Sequence, residues 1–253
     1  MKPNKYTIYP VKDQNEKKIK KKDKIFSLPA RILITAKTSG GKGVWMCNAL
    51  LRPEYYYGDF KGEDIYWFSP SIKHDKKTQI CIQNLDIPPQ NLFSNTKNIN
   101  EDLSVVLQFI EKNYEEAIAN KEKPVHSLVV MDDCLPNLKS KNNGAVQDLF
   151  IRSRHFMCSC MCTLQYYNKL LTTCRNNANG LVVFEVNTKQ LEDIEQDHNY
   201  LDDKKEFRKL YKKAIEDGGK HGSFIINYTN ERKDRYLNGN FDNIILEDEE
   251  NKK

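Results

Sequence analysis

Residues 36–43 read Ala-Lys-Thr-Ser-Gly-Gly-Lys-Gly, a short polar loop that ends in two glycines and a lysine. Paired glycines permit a tight turn in which main-chain N–H groups close on an anion, and a helix starting at the lysine adds its positive end. Thr38, Ser39, Gly40, Gly41, Lys42 and Gly43 would form the cradle, with Lys42 as a point charge on the β- and γ-phosphates of ATP. The loop departs twice from the G-x-x-x-x-G-K-[ST] pattern. Ala36 stands at the first glycine, and Gly43 stands where a hydroxyl normally ligates Mg2+. Thr38, Ser39 or a water is the replacement for that hydroxyl. The competing reading is a plain glycine-rich turn with a surface lysine.

A second cluster follows an apolar run. Ser127-Leu128-Val129-Val130-Met131 leads into Asp132-Asp133, which places Asp132 to hold Mg2+ and Asp133 to polarise an attacking water. An acidic pair that merely caps a helix is the alternative. Gln165, just past a cysteine-rich run, has the carboxamide needed to position that water and to register the γ-phosphate; a surface polar residue is its alternative. Arg152, Arg154 and Arg175 are candidates to reach a neighbouring subunit's nucleotide. Arg175 is the first choice because Asn176 and Asn177 follow it in a polar loop beside a strand. Each arginine equally suits a DNA phosphate or a surface carboxylate. His155 reads as a core or loop histidine, Tyr55-Tyr56-Tyr57 as a loop anchor and Tyr66-Trp67-Phe68 as core.

These residues need elements to bring them together. Residues 31–35 read as a strand, followed by the loop and a helix from about Lys42 to Leu51. Further strands are expected over Ile65–Ser69, Val125–Met131, Met157–Thr163, Leu181–Val186 and Phe224–Tyr228. Helical periodicity marks Glu101 to about Ala119, where Leu103, Val106, Leu107, Ile110 and Tyr114 share one side. Gly144–Arg154 reads as a helix, 168–178 as a short helix or loop, and Lys189–Glu216 as a largely helical, charged stretch ended by Gly218-Gly219. Residues 231–246 suit an edge hairpin. Strands alternating with helices predict an α/β fold, a P-loop NTPase with a mostly parallel central sheet flanked by helices. In such sheets ligands bind beyond the C-terminal strand ends, where Lys42, Asp132, Asp133 and Gln165 all fall.

The 253 residues suffice for one such domain, 25–246, with a basic arm at 1–24 and a charged tail at 247–253. Charged residues make up 30% and hydrophobic ones 39%, and the net charge of +5 permits a polyanionic partner without requiring one. The seven cysteines lack zinc-site spacing, and Cys158, Cys160 and Cys162 alternate onto one strand face, which suits reduced, buried thiols. Apolar runs are too short to span a bilayer and the lysine-rich N-terminus lacks a secretory leader, so an intracellular location with no membrane span is expected.

Together, Ile32-Leu33-Ile34 with Ser39-Gly40-Gly41-Lys42, Val129-Val130-Met131-Asp132-Asp133, Arg154-His155, Thr163-Leu164-Gln165-Tyr166-Tyr167 and Arg175-Asn176-Asn177 form a pattern. It resembles the genome-packaging ATPases of large double-stranded DNA viruses, within the FtsK–HerA group of P-loop motors, over roughly residues 28 to 245. The resemblance implies a homo-oligomeric ring that uses ATP and Mg2+ to drive double-stranded DNA into a preformed capsid, docked at the capsid or its packaging vertex. It implies an assembly site in the host cytoplasm or association with the virion. It gives Lys42 to phosphate, Asp132 to magnesium, Asp133 to the water, Gln165 to the sensor position and Arg175 to a trans-acting finger. Ala36, Gly43 and Asp133 (where many relatives have Glu) depart from the pattern. A degenerate P-loop protein that binds DNA or capsid components without rapid hydrolysis is the alternative. A nucleotide kinase is disfavoured because no arginine-rich lid is evident.

Overall fold

A computed structural model describes residue 19 and residues 24–134 and 144–246. Most of the basic arm and all of the charged tail read from the sequence lie outside these residues. Eight strands form one sheet: β1 (Arg31–Thr35), β2 (Ile65–Phe68), β3 (Leu92–Phe93), β4 (Ser127–Met131), β5 (Cys158–Leu164), β6 (Gly180–Val183), β7 (Phe224–Asn227) and β8 (Tyr236–Asn238). Their order is β3-β2-β4-β5-β1-β6-β7-β8. The strands from β3 to β6 are parallel, and β7 and β8 are added antiparallel at one edge. The mostly parallel sheet expected from the sequence is therefore present; in the stretch expected to form an edge hairpin, β8 pairs on β7 and Leu237 makes an antiparallel bridge with Asn243.

The central strands are buried along their full length, the behaviour of parallel strands covered on both faces. Alternation divides them. Ile32, Ile34, Leu128, Val130 and Met161 pack with Met46, Ala49 and Leu50 of α1 (Lys42–Leu51) and with Cys81 and Ile82 of α2 (Lys76–Asn84). Leu33, Val129, Met131, Cys160 and Cys162 face the other way. There they meet α3 (Ile99–Ala119), α4 (Gly144–Ile151), α5 (Thr172–Asn177), α6 (Thr188–His198) and α7 (Lys204–Asp217). All seven cysteines are free, and Cys158, Cys160 and Cys162 share one buried face as expected.

Three stretches carry detail beyond the sequence expectation. The polar region before Pro88 contains α2, whose N-cap Asp75 accepts from the Lys77 N–H, and a two-residue strand, β3, comes after it. The charged stretch 189–216 is two helices, because Asn199 ends α6 in an extended conformation and Asp203 caps α7. Ile19 and Leu28 exchange main-chain hydrogen bonds of 2.9 and 3.0 Å. Among the described residues no helix is long and apolar enough to cross a membrane.

Candidate functional site

The loop between β1 and α1 is shaped by its glycines. Gly41 has φ 109°, and a Cβ there would stand 2.9 Å from the Phe184 ring. A Cβ on Gly40 would meet the Ala36 Cβ at 2.8 Å and the Lys37 carbonyl at 2.9 Å. The N-cap of α1, Gly41, offers no side-chain cap, and no acid occupies the first turn. The N–H groups of that turn and the positive end of the helix dipole are left for an anion. Ala36 is accommodated by pairing its N–H with the Leu164 carbonyl at 3.1 Å, which sets the loop beside Gln165. Thr38 and Ser39 are exposed. Around Gly43 the space is open, with nothing within 4 Å of an added Cβ.

Lys42 is buried, and its Nζ donates to the Ala36 carbonyl at 3.1 Å. An ammonium carries three donors, and the nearest further partner is Asp133 Oδ1 at 3.9 Å. Burial lowers the Lys42 pKa, while Asp133 and Asp132 pull it back up.

Asp132 lies beyond β4 on the same side of the sheet as α1, because alternation along β4 puts it with Leu128 and Val130. The Thr163 hydroxyl donates to Asp132 Oδ1 at 2.7 Å, and the Ser69 hydroxyl approaches Oδ2 at 3.4 Å. Burial nevertheless pushes the Asp132 carboxyl above its ordinary range, against the Thr163 hydrogen bond, with Asp133 adding to the rise. The Asp133 N–H donates to Thr163 Oγ1 at 3.0 Å. Asp133 has φ 51°, and this left-handed turn lets two consecutive acids face the same lysine. Ser39 in the facing loop has φ 59°. Non-glycine residues held in this region cluster at functional sites, and here one lies in the loop leading to Lys42 and the other is the acid 3.9 Å from its amine. Asp133 Oδ1 is buried with no hydrogen-bond partner.

These open valences fit a triphosphate and a divalent cation. The uncapped turn and Lys42 would take phosphate oxygens, and Asp132 would hold the metal. Among the described residues no group of three or more His, Cys, Asp or Glu side chains is placed to hold a metal ion by itself. Gln165 and Tyr166 line a cleft of about 500 Å³ together with Lys37, Thr38, Asn187 and Gln190, so Gln165 is brought to the loop.

Arg175 is not. Its guanidinium pairs with Asp197, donates to Thr172 Oγ1 at 3.0 Å and sits 4.9 Å over the Tyr167 ring. Arg152 pairs with Glu111 at 2.7 Å, and Arg154 and His155 are exposed. The site residues missed from the sequence are Ser69 and Thr163. Both are hydroxyls at the C-terminal ends of strands next to the acid-bearing one, and that position was the available signal.

A family model described as "Poxvirus A32 protein" matches residues 16–227. No curated protein sequence matches the chain significantly. Among solved structures, the genome packaging NTPase B204 from Sulfolobus turreted icosahedral virus 2, in complex with sulfate, aligns at a TM-score of 0.54 and 12% identity over 87% of this chain and 98% of its own. The same NTPase with ATP-gammaS aligns at 0.51 and 13%, over 86% and 98%. EssC ATPases 2 and 3 from Geobacillus thermodenitrificans align at 0.51 and 13%, over 69% of this chain and 36% of EssC. At these identities the likeness is one of fold, that of a P-loop NTPase.

Proposed function

The chain belongs to the Poxvirus A32 protein family, and from that membership and the geometry at Lys42 we propose that it is a viral genome-packaging ATPase. In this reading it hydrolyses ATP with Mg2+ to move double-stranded DNA into a preformed capsid, working as a homo-oligomeric ring at the capsid's packaging vertex. The observation that carries the reading is the meeting of an uncapped helix N-terminus, a buried lysine and two acids at one end of the sheet. The names of the fold neighbours, a genome packaging NTPase solved with sulfate and with ATP-gammaS, support the same ligand class.

Each residue has a stated task. The first-turn N–H groups of α1 and the Lys42 ammonium bind and orient the phosphates, and Lys42 offsets charge that grows in the transition state. Thr163 and Ser69 fix the Asp132 carboxylate in the orientation that would hold the cation. Bound magnesium would supply neutralising charge across the β- and γ-phosphates. Asp133, anchored through its N–H to Thr163, orients the attacking water, and Gln165 completes the positioning from the far side of the loop. As a trans-acting finger, Arg175 would have to exchange Asp197 for a neighbour's phosphate. Action at a viral assembly site within the host cell, or in the virion, goes with this function.

A capsid- or DNA-binding assembly factor without rapid hydrolysis is the second reading, favoured by the missing hydroxyl at Gly43. The test is ATP turnover by the purified chain with and without double-stranded DNA, together with its mass in solution. Magnesium-dependent turnover that rises with DNA in an oligomer is expected. Nucleotide binding without turnover, with DNA present, selects the second reading.

A further inference from the structure

Asn176 and Asn177 have no task in the nucleotide loop, yet they border a second polar cavity of about 550 Å³. Arg31 opens β1, so the four residue steps to Thr35 separate this cavity from the nucleotide loop by about 13 Å along the strand. Arg31, Asn176, Asn177, Gln196, Tyr200 and Tyr228 are among its walls.

Arg31 is the unusual member. It is only 8% exposed, and its one side-chain hydrogen bond runs from Nε to the Asn177 carbonyl at 2.6 Å. Among the described residues no carboxylate forms an ion pair with it; burial lowers its pKa, with Cys160 acting against the fall and the like charge of Arg154 adding to it. A buried guanidinium without a counter-charge is costly to maintain. The other charges in the wall are already spoken for. Asp197 is held by Arg175 and by the Tyr167 hydroxyl at 2.9 Å. His198 uses both ring nitrogens, on Tyr167 at 2.6 Å and Tyr228 at 2.8 Å, and burial keeps it neutral with a pKa near 4. With Asp197 neutralised by Arg175, the one charge in the wall without an ion-pair partner is that of Arg31, with the Asn176 and Gln196 amides beside it. Its rim is aromatic and cationic, with the Arg235 guanidinium 5.1 Å over Tyr200 and 5.0 Å over Tyr228, and Tyr200 is 52% exposed.

We propose that this cavity is a second phosphate site, in which the Arg31 guanidinium receives the oxyanion and the Tyr200–Arg235 rim holds the attached sugar or base. A planar guanidinium suits paired phosphate oxygens, and an aromatic rim beside it favours a nucleotide unit over a simple carboxylate. A DNA backbone and a free phosphate compound offer the same chemistry. The proposal stands apart from ATP turnover at Lys42.

The test uses the full chain carrying Lys42→Ala, so that the buried lysine of the nucleotide loop is absent, and monitors line broadening of inorganic phosphate by 31P NMR. Saturable broadening is expected, at least fivefold weaker after Arg31→Met and after Asn176→Asp. Asn176 is exposed, so its substitution places a negative charge at the mouth without disturbing packing and decides the matter if Arg31→Met fails to fold. Displacement of phosphate by a short DNA duplex identifies a strand backbone as the ligand, and persistence of the signal identifies a free phosphate compound. Absence of saturable broadening, or broadening unchanged by Asn176→Asp, overturns the proposal.

Discussion

Lys42 Nζ stands 3.9 Å from Asp133 Oδ1, which joins the loop after β1 to the turn after β4 across one end of the sheet. The separation is long for an ion pair, and neither partner is saturated: Lys42 holds a single main-chain carbonyl and Asp133 Oδ1 holds no hydrogen bond. A group placed between them would meet an open donor on one side and an open acceptor on the other.

Replacing Lys42 by alanine removes the buried ammonium at the loop's mouth. ATP turnover is expected to fall on the order of 10²–10³-fold, by comparison with loss of one preorganised transition-state donor. Asp133→Asn, which keeps the size and the N–H bond to Thr163, is expected to lower kcat with little change in KM. Steady-state kinetics on the two variants check both outcomes, and intact turnover in either removes its assigned role.

Asp132→Asn separates stability from activity. The folded Asp132 pKa lies above the usual 3.8 because of burial. The stability it contributes is thus fully present below that usual value and lost as pH rises through the folded pKa. Above the folded pKa the ionised carboxylate is a burden in the metal-free protein, so there the asparagine variant is expected to melt higher while losing turnover. A chain of this size shifts by about 2–4 °C per kcal/mol. Magnesium with a non-hydrolysable nucleotide should stabilise the parent more and reverse the order, as scanning calorimetry would register. A lower melting point for the variant at every pH above the usual carboxylate range would contradict this account.

Gly43→Ser restores a hydroxyl where the open space already allows one. Serine is the better helix former by about 0.5 kcal/mol, so no loss of stability is expected. The magnesium concentration giving half-maximal turnover should fall severalfold. An unchanged magnesium dependence would mean that the hydroxyl position is already filled by another group.

His198 gives a pH signature remote from the nucleotide loop. Burial lowers its pKa from the usual 6.5 to about 4. A depressed folded value means stability that is present above 6.5 and lost as pH falls through 4. Urea midpoints are expected to drop across that window, and the drop should shrink in His198→Gln, which retains hydrogen-bonding capacity for Tyr167 and Tyr228.

Much of the site was legible in the chain itself. The β1 and α1 limits agree with their expected spans, and Lys42, Asp132 and Asp133 do meet, because the pattern that marks a parallel strand also places the next residues at the sheet's C-terminal end. The resemblance to viral packaging ATPases is borne out by the family match. The short elements were not legible. β3 has two residues, and α2 carries too few apolar positions among its lysines, glutamines and asparagine to stand out from a polar loop.

The local sequence thus determined which longer segments are strands, which loop the glycines shape and which acids sit at a strand end, since these depend on periodicity and on glycine's conformational freedom. Only the tertiary structure decided the strand order, the turning inward of Arg175 onto Asp197, the hydroxyl support that Thr163 and Ser69 give Asp132, and the unpaired burial of Arg31. Those features arise between residues far apart in the chain. Which distant side chains meet is set by how the two faces of the sheet are packed, and no short window of sequence contains that information.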